Sequence, residues 1–199
     1  MLSTLSPGEI EAATNLMSGG FTMAKSSMEQ ILQSPIDLKK VDYSIEIQEV
    51  PKINPKTGDK LHLIKTELKG QLTGSCFLVL SEDEVDRINA ACLPEELLSD
   101  KSEESEVMKL AFLKEIDNMV AAAAVTEFSN ILDLELFGDV PLAYLLDKDE
   151  ANEYLLNESK IHKTIIHFKA IFHGEELGIS PDFIWMFSDK FVDKIKKIA

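Results

Sequence analysis

The sequence predicts an α+β protein, one antiparallel sheet with two long helices packed on it. Three observations carry this. Two stretches of helical periodicity, residues 9–33 and 106–132, each lead one half of the chain. Alternating or continuously apolar runs, the marks of strands, follow each of them. Each half then closes on a short helix opening at a serine, Ser81 and Ser188.

Taken in order, Pro7 and Gly8 precede the first helix, and Glu9 and Glu11 suit the positive end of its dipole. Gly19 and Gly20 cost this helix stability, so they predict a close approach to its face. Pro35 ends it. DYSIEIQEV, residues 42–50, alternates polar and apolar residues as a half-buried strand does. PKINPKTGDK reads as a hairpin loop, with LHLIKTELKGQL and GSCFLVL as two more strands. SEDEVDRINAACL is a short helix with an N-cap serine and an acidic first turn. PEELLSDKSEES, residues 94–105, is polar and acidic and reads as a midpoint linker.

The second half repeats the order. After the helix at 106–132 come VPLAYLL, KTIIHFKAIFHG and ISPDFIWMF as strands, and SDKFVDKIKKIA as a capped helix with lysines in its last turns. Asn15 overlays Asn118, Gly74 overlays Gly174, and Ser81 overlays Ser188, at offsets of 103, 100 and 107 residues. An internal duplication accounts for this: one domain over 1–199 made of two pseudo-symmetric halves, about 1–98 and 104–199.

Composition bounds the function. Hydrophobic residues form 45% of the 199, enough for a real core. The net charge of −15 argues against nucleic acid, whose phosphates need clustered Lys and Arg, and against an anionic membrane surface. No run is long and apolar enough to insert into a membrane, and MLSTLSPGEIEAA lacks the charged and apolar regions of a signal peptide, so a cytoplasmic location is expected. Cys76 and Cys92 sit in apolar surroundings and read as reduced core thiols. His62, His162, His167 and His173 are not spaced as metal ligands with Cys or Asp, and His162 and His167 read as strand or edge residues. There is no G-x-S-x-G, P-loop or G-x-G-x-x-G. Trp185 reads as a core aromatic.

The second long helix, EVMKLAFLKEIDNMVAAAAVTEFSNIL, is the most informative segment. Leu113, Ile116, Val120, Ala124 and Ile131 form an apolar stripe that should lie on the sheet. Glu115 and Asn118, three apart, are neighbours on a face pointing away from it. Ala111, Ala122, Thr126 and Ser129 share that face. An acid and an amide thus stand on a floor of small residues, which another protein's backbone could approach closely.

LKEIDNMVAAAAVTEFS resembles the signature helix of the CheC/CheX/FliY family of chemotaxis phosphatases. Glu115 and Asn118 fit its pattern, Pro141 follows after 22 intervening residues, and Thr126 and Ser129 fall at its Thr and Ser positions. Ala111 departs from it, standing where the family has Asp or Ser. The first helix is similar to the family's other signature helix at Asn15, Gly19, Ala24 and Ser26. It has Ala12 at the Glu position and Leu38 at the proline position, and Glu11 is one residue off register. LTGSCFLVLSEDEVDRI is also similar, so the resemblance spans nearly the whole chain in both halves. The duplicated two-helix layout is most like CheC.

The resemblance implies the duplicated CheC-like fold and a phosphatase acting on the aspartyl phosphate of a CheY-like response regulator. It implies catalytic Glu115 and Asn118, supported by Pro141 and Ala122, and a degenerate second site at Asn15 and Glu11. Asn118 would orient an in-line water and Glu115 would pair with a lysine of the regulator. The chain would have no cofactor or metal of its own, since the Mg²⁺ belongs to the regulator. A CheD-like deamidase is a further partner known of CheC-like proteins, though no residue here secures it. The alternative is a non-catalytic adaptor that binds a receiver domain or another chemotaxis or flagellar-switch protein. Monomer and homodimer are both compatible with the sequence, because an unpaired sheet edge allows strand-to-strand pairing.

Overall fold

A computed structural model describes residues 5–44, 52–54, 56–161 and 166–199. It opens with α1 (Pro7–Leu32), capped by Ser6 and Glu9 in a reciprocal box that satisfies two free backbone N–H groups. Strands β1 (Asp37–Ser44), β2 (Lys60–Gly70) and β3 (Gly74–Ser81) follow, then α2 (Glu82–Cys92), capped the same way by Ser81 and Glu84. Short α3 (Glu95–Ser99) leads to α4 (Glu103–Leu132). The chain continues through β4 (Leu136–Gly138), β5 (Leu142–Asp147), α5 (Lys148–Ile161), β6 (Ile166–His173), β7 (Asp182–Phe187) and α6 (Asp189–Ile198).

The described strands form one antiparallel sheet in the order β1-β6-β7-β3-β2-β4, with β5 also on β2. Apart from β4, exchanging β1, β2 and β3 with β5, β6 and β7 leaves the pairing scheme unchanged. Ser81 and Ser188 hold matching places after the two central strands, but Gly74 opens β3 whereas Gly174 follows β6.

Alternation along the strands splits the core into two layers. Leu78, Phe168, Phe183, Trp185 and Phe187 face α1 and α4, which pack against each other. Phe128 of α4 meets Trp185 edge-on with ring centroids 5.2 Å apart. Gly20 of α1 lies so close that a Cβ there would overlap the Phe128 ring, which is the close approach the glycines predict. On the other face Leu63, Phe77, Val79 and Ile184 pack under Ala151 and Leu155 of α5. Each large apolar side chain buried in this way contributes about 1.5–3 kcal/mol.

Several expectations need correction. The strand expected at 42–50 is β1, shifted to Asp37–Ser44, and 45–50 lie outside the described residues. The prolines and glycine that follow do not make a hairpin, because β1 pairs with β6 and is separated from β2 by β6, β7 and β3. A period of two shows that a segment is a strand but not which strand it joins. The expected linker at 94–105 contains α3 and the start of α4. Ile131 is exposed, while Phe128 and Leu132 are buried, because the line of contact drifts along so long a helix. Ser188 does not cap α6 with its side chain; its hydroxyl lies 3.2 Å from Thr73 Oγ1. Cys76 is buried, as expected, but Cys92 only partly so. Helix α5 was not expected, since its few apolar residues barely mark a face. Its start nevertheless carries a cap signature: Asp147 Oδ1 accepts from Glu150 N at 2.8 Å, and Glu150 Oε2 from Asp147 N at 2.9 Å. No described helix is long and apolar enough to cross a membrane.

Candidate functional site

The buried side of α4 fixes its rotation about its own axis. Leu113, Ile116, Val120 and Ala124 are packed, as the stripe predicts, and Asp117 is fully buried with them. At 100° per residue this turns Glu115 and Asn118 outward. Both are exposed, and neither makes a side-chain hydrogen bond or ion pair with another described residue.

They line one shallow groove of about 380 Å³ with Ala111, Val107 and Lys114 of α4 and with Val140 and Pro141 of the β4–β5 connection. Between Asn118 and Pro141 the chain finishes α4, turns and forms β4, and β2 brings the two together. Strand β4 pairs with Leu68–Gly70 and β5 with Lys60–Lys65. Between them Asp139, Val140 and Pro141 stand against only Thr66 and Glu67, a bulge that pushes the chain toward α4. Pro141 has no N–H to give to the ladder, which suits it to this gap.

The groove offers an amide with one acceptor and two donors, a carboxylate, and a small-residue wall at Ala111.

No family model matches the chain, and no curated protein matches it significantly. Solved structures do. The chain superposes on FliY from Thermotoga maritima with a TM-score of 0.67 at 19% identity, covering 98% of both chains. It matches the CheX of a CheX–CheY–BeF3–Mg²⁺ complex from Borrelia burgdorferi with a TM-score of 0.57 at 14% identity, covering 86% of this chain and 97% of that one. A CheC-like superfamily protein from Shewanella gives 0.56 at 15% identity, over 87% and 97%. The chain has the CheC/CheX/FliY fold. These are likenesses of fold.

Within this CheC-like fold the two long helices carry unequal sets of polar residues. Asn15 and Glu11 are both exposed on α1, but Ala12 is half-buried against the core and Leu38 packs on the core from β1. Ala122 lies one turn beyond Asn118 on the exposed face, outside the groove, where its carbonyl accepts from Thr126 Oγ1 at 2.8 Å. Val107, Leu110, Lys114 and Val140 line the groove and were not anticipated. Three of them were within reach: residues 107, 110, 111, 114 and 118 share one helical ridge. Val140 was not, since only the bulge puts it there.

Among the described residues no group of three or more His, Cys, Asp or Glu converges to hold a metal ion. His62 is half-buried on β2, His167 is buried on β6, and His173 Nδ1 lies 2.8 Å from Ser180 Oγ. His162 falls outside the described residues. Trp185 is fully buried, as expected of a core aromatic.

Proposed function

We propose that this chain is a protein phosphatase that hydrolyses the aspartyl phosphate of a CheY-like receiver domain in chemotaxis-type signalling. The observation that carries the reading is the pair Glu115 and Asn118, exposed, unpaired, and set in one groove with Pro141. The CheX of the same fold in complex with CheY, BeF3 and Mg²⁺ supports the choice of partner.

An acyl phosphate is a reactive mixed anhydride with a carboxylate as its leaving group, and positioning supplies most of what its hydrolysis needs. In this reading the Asn118 carbonyl accepts a hydrogen bond from a water and aims it in line with the bond to be broken. The water oxygen attacks phosphorus, the bond to the aspartyl oxygen breaks, and inorganic phosphate leaves. The Asn118 NH₂ faces a phosphoryl oxygen. Glu115 pairs with a lysine of the receiver and fixes the register of docking, an anchor more than a base. Mg²⁺ is held by the receiver and neutralises the charge there.

The test is the dephosphorylation rate of purified phosphorylated receivers from the same genome, with wild type and with Asn118→Ala. Acceleration by wild type alone supports the enzyme. Binding without acceleration makes the chain an adaptor, a reading that Ala111, lacking an acid beside Glu115, favours.

A further inference from the structure

A second concavity lies beside the groove and is no part of the site described so far. It is a cleft of about 560 Å³ between the first turns of α4, helix α2 and strands β2 and β5. This size is ordinary for a small-molecule site. Its walls are of two kinds. Val85, Leu110 and Leu113 give an apolar side, and Leu110 also lines the Glu115–Asn118 groove. Glu82, Asp86 and Asn89 give a polar side, one residue from each of three turns of α2.

Of these polar groups Glu82 and Asp86 are exposed, whereas Asn89 is buried. Asn89 is 5% exposed, and its Oδ1 is buried with no hydrogen-bond partner. A buried acceptor left unpaired costs about 1–3 kcal/mol, a cost that a donor reaching it from the cleft would relieve. Glu82 and Asp86 make no ion pair with a described residue. The one cation on the cleft wall, Lys109, is already held by Glu106 at 2.8 Å and by the Asp100 carbonyl at 3.2 Å. Burial holds the His62 imidazole below its usual pKa against the pull of Glu82 and Asp86, so at neutral pH it adds no charge to offset them. The cleft therefore offers acceptors and negative charge beside an apolar wall.

We propose that this cleft binds a small organic cation, a guanidinium or primary ammonium group on an apolar stem. The head would donate to Glu82, Asp86 and the Asn89 side, and the stem would lie on Val85, Leu110 and Leu113. Several donors on one head match several acceptors better than a metal ion would, since the carboxylates alone do not form a coordination set.

The experiment is titration of the full chain with agmatine, followed by NMR and by calorimetry. Hexanoate and butanol serve as probes of opposite and of no charge. Two variants of equal net charge separate a site from the general acidity of the chain: Glu82→Gln/Asp86→Asn in the cleft, and Asp83→Asn/Glu95→Gln outside it. The expected result is saturable binding of agmatine alone, weakened about tenfold or more by the cleft variant and unchanged by the other. No saturation, equal loss in both variants, or equal binding of butanol overturns the proposal. The readout is binding, so it stands or falls independently of phosphatase activity.

Discussion

Thr66 Oγ1 on β2 donates a 2.6 Å hydrogen bond to Asp117 Oδ2 near the middle of α4, with both residues buried. Thr66 also stands opposite the bulge that delivers Pro141. One strand position thus bonds to the buried face of the helix that carries Glu115 and Asn118 and faces the loop that completes their groove.

Burial raises the Asp117 carboxyl from an ordinary 3.8 to about 7, the Thr66 bond acting the other way. Between these values the folded chain keeps a proton that the unfolded chain has lost. This group's contribution to stability is therefore complete below about pH 4 and is lost as pH rises toward about 7. Asp117→Asn keeps the shape and removes the ionisation. Urea denaturation from pH 5 to 8 should show wild type losing stability relative to the variant up to about pH 7 and running parallel above it. Parallel curves throughout would mean that Asp117 does not titrate in this range.

Gly20→Ala forces a methyl into the Phe128 ring, which Trp185 and Phe187 hold in place. A loss of about 1–3 kcal/mol is expected in denaturant titration. Gly8→Ala, with open space around it, is the matched control and should cost nothing.

Lys56 is buried between Glu84 at 3.2 Å and Asp182 at 3.7 Å, and so ties the connection after β1 to the back of the sheet. Lys56→Met takes the cation from the buried Glu84, while Lys169 at 3.2 Å still holds Asp182, and should cost about 3 kcal/mol. Adding Glu84→Gln should return part of it. A loss below about 1 kcal/mol would place the Lys56 head in solvent.

Asn118→Ala and Glu115→Ala remove exposed side chains, so each should unfold within about 0.5 kcal/mol of wild type. Their kinetic effects should differ. Asn118→Ala should collapse kcat, while Glu115→Ala should chiefly raise KM for the phosphorylated receiver. Asn15→Ala should leave the rate near that of wild type. Equal losses at Asn15 and Asn118 would make α1 a second working site.

Much of this was legible in the chain itself. Helical and alternating periods depend on neighbours a few residues apart, so both long helices, most strands and the outward face of Glu115 and Asn118 followed from spacing alone. Gly19 and Gly20 announced a close contact because glycine inside a helix is costly. Partners far away in sequence were not legible. The sequence could not join β1 to β6, place Asp117 inside on a face it shares with apolar residues, or bring Val140 beside Lys114. Local order comes from backbone sterics and from which residues avoid water, and both are written residue by residue. Which strand completes a ladder, and which buried acid finds a threonine, is decided only when the two layers of the core close on the sheet.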